Sequence, residues 1–296
     1  MLPHSHIPAT VLLLAGIFAA PAVLHAETYN TCAGFIDTLP VTITTQGVWC
    51  VRHDLSTSIT SGNAITINTN NVTIDCNNFK LGGLAAGVGT SARGIYADDR
   101  VNLTVRHCNV RGFRVGIYAT GSGFQHEKGY GHVIEDNRLD GNTEIGIDIV
   151  GYASVVRRNQ VLNTGGSSVA VAGPVAITTR EAVDIIDNTI DGVFAPDGSG
   201  FGVTGIHAIA EGDRIAVAGN RLGALWRDGG GQVNGIRVAG TGLRTITNNV
   251  VDLATFAASS YGVRCQYSGG QFAKDNFISG FANKIQTCTD AGGNVL

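Results

Sequence analysis

The chain has no run of basic residues and little charge of either sign. Asp, Glu, Lys and Arg make up 15% of its 296 residues, and the formal net charge is −3. With no basic patch to neutralise phosphates, electrostatics give no support to a nucleic-acid partner. There is no CxxC pair and no Cys/His cluster, so the ligand spacing of a structural zinc site is missing. Serine-triad, phosphate-loop and dinucleotide-binding signatures are missing as well. Beyond the first 26 residues no stretch keeps a helical apolar period, which excludes helices as the building unit.

Long apolar runs are also lacking. The stretch from Val11 to Ala20 is apolar but shorter than the about 20 residues that span a bilayer. Small residues follow at Ala22 and Ala26, and the stretch reads as a signal peptide cut near Ala26. His4 and His6, but no Lys or Arg, precede it. Residues 27–296 are then expected to form one domain, secreted or periplasmic.

What the chain does have is glycine, 41 residues, and six cysteines, all after the expected cleavage point. An even cysteine number in an exported chain points to disulfides. Six cysteines allow 15 pairings. The expected set is Cys32–Cys50, Cys76–Cys108 and Cys265–Cys288, the last two spaced by about one repeat.

Two short patterns alternate along the chain. The first is Asn-x-[Leu/Ile/Val], at Asn137, Asn159, Asn188, Asn220, Asn249 and Asn276, at intervals of 22 to 32 residues. Cys108 takes the same place one turn earlier. The second is Gly-Ile-x or a near variant, at Gly94, Gly116, Gly146, Gly205, Gly235 and Gly262, with Ser168-Val169-Ala170 and Lys284-Ile285-Gln286 as degenerate copies. Between them lie alternating runs such as Val101-Asn102-Leu103-Thr104-Val105, which mark strands with one buried face. Short strands, regular turns and a period in the twenties predict an all-β solenoid of about eight or more rungs. Stacked Asn side chains are expected to hydrogen-bond up the stack. Asn and Gly are both expected to supply the left-handed backbone of sharp corners.

The segments Asn71-Val72-Thr73-Ile74-Asp75-Cys76 and Asn102-Leu103-Thr104-Val105-Arg106-His107-Cys108 resemble the first rungs of the right-handed parallel β-helix, or pectin-lyase-like, superfamily. Leu39 to Cys50 resembles its opening strand pair. The resemblance covers roughly Thr28 to the C-terminus and implies the fold. It does not fix a reaction, because the superfamily holds lyases, hydrolases, esterases, epimerases and non-catalytic surface proteins. The Gly-His-Gly of polygalacturonases is reduced to the fragment Gly131-His132-Val133. The Asp-Pro-His-Asp of mannuronan epimerases and the Arg-x-Pro-Arg of pectate lyases do not occur.

If Ile of Gly-Ile-x points inward, x points outward. The outward column then reads Tyr96, Tyr118, Asp148, Ala170, His207, Arg237, Arg264 and Gln286. Such a strip suits an extended acidic polysaccharide, with Tyr faces on sugar rings and Arg on carboxylates. Insertions at Thr120–Gly131, Ala172–Ala182, Ala195–Thr204 and Leu225–Asn234 are expected to wall the site. They bring His126, Glu127, Trp226 and Arg227 as further binding residues.

A lyase acting on a uronate needs a cation on the carboxylate, for which Arg237 or Arg264 serves. It also needs an acid or base, for which His207 or Tyr118 serves. Asp148 is expected to orient His207 or to hold a Ca²⁺ with Glu127. A glycoside hydrolase needs two carboxyls about 5 to 10 Å apart. Asp148, with Glu127 or Glu144, is the candidate pair. The third alternative is a non-catalytic carbohydrate-binding or surface β-helix.

Overall fold

The computed structural model describes residues 31–121, 130–210, 212, 214–267 and 269–296. The expected signal segment lies outside them. The described chain is a parallel β-solenoid of three sheets, with one short 3₁₀ turn, Leu84–Ala86, among the strands. After an opening turn with no strand in the second sheet, the chain visits the first sheet (11 strands), the second (9) and the third (10) in that order, and every ladder is parallel. No described helix is long and apolar enough to cross a membrane.

Stacking like on like explains the repeats. In the third sheet the register aligns Ile65, Ile95, Ile117, Ile147, Ile177, Ile206, Ile236 and Val263 in one inward column. All eight are completely buried. Burying one such side chain contributes about 1.5–3 kcal/mol, so the column is a major part of the folding energy.

The Asn pattern forms the corner between the first and second sheets. Each amide oxygen accepts from the backbone N–H and the Nδ2 of the Asn one rung before. The chain runs Asn137, Asn159, Asn188, Asn220, Asn249, Asn276 and then Asn294, with all donor–acceptor distances between 2.9 and 3.1 Å. Each Nδ2 also caps a first-sheet carbonyl, as Asn188 does for Val156 at 2.9 Å.

The left-handed backbone falls one residue earlier than expected. Asp136, Arg158, Asp187, Asn248 and Asp275 have φ between 54 and 57°, and the ladder Asn that follows each one does not. The Asn is there for its amide, and its neighbour makes the bend.

The glycines of Gly-Ile-x are also not corner residues. Gly235 and Gly262 lie inside strands, and a Cβ there would come within 2.4 Å of Val251 and 2.2 Å of Ile278. They are kept small by close packing across the interior, not by φ.

The three disulfides pair as expected: Cys32–Cys50, Cys76–Cys108 and Cys265–Cys288. Cys108 donates its N–H to Asn137, so the Cys76–Cys108 bridge occupies the ladder corner where the Asn stack begins. The other two staple the first and last turns. Three disulfides fit an oxidising compartment, extracellular or periplasmic.

Candidate active site on the third sheet

The outward column of the third sheet contains Thr66, Tyr96, Tyr118, Asp148, Thr178, His207, Arg237, Arg264 and Gln286 in consecutive register. Ala170 is not in it. Residues 166–174 form the loop before Val175–Arg180, and Ala176-Ile177-Thr178 is the rung, without the Gly that marks the others. The insertion expected over Ala172–Ala182 is therefore mostly a strand.

The walls also differ from expectation. The loops 166–174, 195–202 and 227–232 lie at the corner entering the third sheet. The insertion Thr120–Gly131 leaves from the opposite edge; His126 and Glu127 in it lie outside the described residues.

At one end of the column Tyr96 and Tyr118 stack on each other, with ring centroids 5.2 Å apart and planes within 11°. Each ring spends one face on the other, which leaves less aromatic surface for a sugar than the sequence implied. The Arg93 guanidinium lies 5.1 and 5.0 Å from the two centroids. Asp148 is buried and accepts from Arg180 Nη2 at 2.9 Å. Burial pushes its carboxyl above the usual range, and Arg180 and Arg93 oppose that shift. A cation such as Ca²⁺ would have to displace the Arg180 guanidinium from Asp148. Among the described residues no cluster of three or more His, Cys, Asp or Glu is arranged to hold a metal.

At the other end His207, Arg237 and Arg264 follow on consecutive rungs. His207 and Arg237 line one groove of about 390 Å³ with Val175, Thr204, Gln232 and Asn234. Burial first, then the charges of Arg237 and Arg180, holds the His207 imidazole at a pKa of about 4. It is therefore neutral at pH 7. Its Nε2, buried, has no hydrogen-bond partner among the described residues, and neither does Arg237 Nε. Burial and the like charge of Arg264 lower the pKa of Arg237. Among the described residues Arg237 reaches Gln266 (3.1 Å), and Arg264 reaches Gln232 (2.8 Å) and the face of Tyr261 (4.5 Å). No described carboxylate forms a salt bridge with either arginine.

The expected catalytic residues do not converge on one point. At about 4.8 Å per rung, Tyr118 stands three rungs, about 14 Å, from His207, and Asp148 two rungs, about 10 Å. Asp148 does not orient His207. Glu144 is ion-paired to Arg114 and precedes Asp148 by four extended residues, about 13 Å. That is too far for a glycosidase pair. Trp226 is half-exposed at the end of the second-sheet strand Arg221–Trp226, and Arg227 donates to the carbonyl of Gly231 in its own loop.

Three groups escaped the sequence reading. Arg180 lies two residues beyond the column on the same face, so period-two counting from Thr178 finds it. Arg93 and Asn234 belong to a parallel file three residues before the column.

No family model matches the chain, and no curated protein matches it. A solved structure that does match is the mannuronan C-5 epimerase AlgE6 A-module of Azotobacter vinelandii, at 15% identity, covering 84% of this chain and 80% of that one, with a TM-score of 0.32. A likeness at that level assigns neither a substrate nor a reaction to this chain.

Proposed function

We propose that this is an exported β-helix that acts on a uronate-containing polysaccharide, as a lyase, with its reacting sugar in the His207–Arg237 groove. The supporting observation is the run of His207, Arg237 and Arg264 on adjacent rungs with no carboxylate among the described residues to pair them. Like charges facing each other across strands are destabilising, and an anionic chain laid along the column would relieve that cost. Arg237 or Arg264 neutralises the sugar carboxylate, which acidifies the C5 proton. The neutral imidazole of His207 takes that proton, C4–C5 becomes a double bond, and the C4–O bond breaks. The leaving oxygen is protonated by the imidazolium or by water. Tyr118 and Tyr96, further along, contact another part of the same chain. Hydrolysis has less support, because Asp148 and Glu144 are each committed to an arginine and stand far apart.

The test is a panel of polygalacturonate, alginate, glucuronan and neutral glycans, followed by the ultraviolet absorbance of an unsaturated uronate and by a reducing-end assay. Unsaturated product is expected from an acidic member, and His207→Ala and Arg237→Ala should each lower turnover at least a hundredfold. Reducing ends without unsaturation would replace the lyase with a hydrolase. Binding with no turnover across the panel would make the protein a carbohydrate-binding β-helix. Full activity in both variants would move the site elsewhere.

A further inference from the structure

The groove beside His207 holds a third polar group without a partner. Asn234 lies three residues before Arg237 on the strand Val233–Ala239 and is 4% exposed. Its Nδ2 donates to the hydroxyl of Thr204 at 3.5 Å. Its Oδ1 is buried and has no donor among the described residues, and the residue lines the same groove. A buried acceptor left unmade is costly, and such groups are rare in folded proteins.

The fold does not ask for Asn at this place. Asn234 belongs to the file Asn63, Arg93, Val115, Ile145, Val175, Thr204, Asn234, Tyr261 and Asn283, in which Asn63 and Asn283 stand on the end rungs. Three rungs of that file carry a β-branched apolar residue in equivalent backbone, so the solenoid closes its turns there with no amide. The amide also stands outside the Asn ladder, which runs along a different corner.

We infer that Asn234 is a specificity-determining residue that accepts a hydrogen bond from a sugar hydroxyl while Arg237 holds the carboxylate of the same unit. This rests on the acidic-polysaccharide reading above and deepens it. Three residues that line the groove each hold a buried polar atom with no partner among the described residues: an acceptor (Asn234 Oδ1), a cationic donor (Arg237 Nε) and a neutral imidazole nitrogen (His207 Nε2). A ligand that satisfies all three carries a carboxylate and a hydroxyl on one edge, as a uronic acid does. A neutral sugar lacks the partner for Arg237, and a simple dicarboxylate lacks the donor for Asn234.

The experiment compares the wild type with Asn234→Val and Asn234→Thr. Binding is measured to whichever of polygalacturonate, alginate and glucuronan oligomers binds the wild type best, and to the same oligomer with its carboxyls reduced. Thermal melting is recorded for all three proteins. Asn234→Val, which installs the residue found at Val115 and Val175, should melt at or above the wild-type temperature and bind the oligouronate roughly ten- to a hundredfold more weakly. It should keep the preference for the carboxylated over the reduced oligomer, because Arg237 is intact. Asn234→Thr restores an acceptor and should recover part of the affinity. Unchanged affinity in Asn234→Val would overturn the inference and leave the proposed function standing. A large drop in melting temperature would also overturn it, by making the amide structural. Failure of the wild type to bind any of the three oligouronates would overturn both.

Discussion

The outer surfaces of the first and third sheets are built from the same rung and handle charge in opposite ways. On the first sheet opposite charges alternate up the stack. Arg106 pairs with Asp75, Arg157 with Glu135, and Arg158 with both Glu135 and Asp136, at 2.7 to 3.0 Å. That is the pattern a surface adopts when folding is its only task, since adjacent strands then present attractive neighbours. On the third sheet Asp148 and Arg180 make one such pair, and beyond them His207, Arg237 and Arg264 gather with amides for company. The difference separates stability from function within one repeat. Among the described residues, the first-sheet surface pairs these charges within the chain, and the third-sheet surface leaves Arg237 and Arg264 without a carboxylate.

The comparison can be broken from the structural side first. The ladder should hold the fold and leave the third-sheet chemistry alone. Asn188→Leu removes the acceptor for two donors of Asn159, one of the two donors to Asn220, and the cap on Val156. Each buried group left unpaired costs about 1–3 kcal/mol, so the loss is several kcal/mol. By calorimetry the melting temperature should fall by roughly 10 °C, with turnover per folded molecule unchanged below the transition. An unchanged melting temperature would remove the ladder from the account of stability.

A smaller effect separates two histidines of equal acidity. Burial alone lowers the His132 pKa to about 4, the same value as His207. His132 is fully buried at the start of the first-sheet strand Val133–Glu135, and its Nδ1 faces the N–H of Leu103 at 3.4 Å. An unfolded histidine titrates near 6.5, so below that pH the unfolded chain binds protons that the folded one refuses. Stability is therefore full above pH 6.5 and falls as the pH drops toward 4. For His132 the loss reaches about 3 kcal/mol at pH 4. Denaturant titrations across that window should show a steep acid slope, made shallower by His132→Gln. His207→Gln should change that slope less, because His207 is partly exposed, and should change turnover far more.

Much of the fold was legible because stacking makes each rung repeat its neighbour. Ile in Gly-Ile-x, Asn in Asn-x-[Leu/Ile/Val] and the cysteine spacings each report a position that sees the same atoms one rung up and one rung down. The misreadings have the same origin. The loop 166–174 displaces the repeat, and with no Gly before Ile177 the pattern falls on Val169, which is exposed. The left-handed corner was credited to the ladder Asn because several residues can make that bend, as Asp136, Arg158 and Asp187 show, and so they leave no fixed letter. Of the site, the column was legible, and its order already set Tyr118 three rungs and Asp148 two rungs from His207. Spacing along one file cannot show that Arg93 and Asn234 reach the column from the file beside it.

If Arg237 and Arg264 serve an acidic glycan and the paired cations of the first sheet serve the fold, mirrored charge reversals separate the two roles, with oligouronate affinity and unfolding free energy measured on the same samples. Arg237→Glu should lower affinity at least a hundredfold and leave stability within about 0.5 kcal/mol, since it breaks no ion pair. Arg106→Glu, which sets a carboxylate against the buried Asp75, should lower stability by about 2 kcal/mol and leave affinity unchanged. Equal loss of affinity in both variants, or a loss confined to Arg106→Glu, would show that the two sheets do not divide these roles.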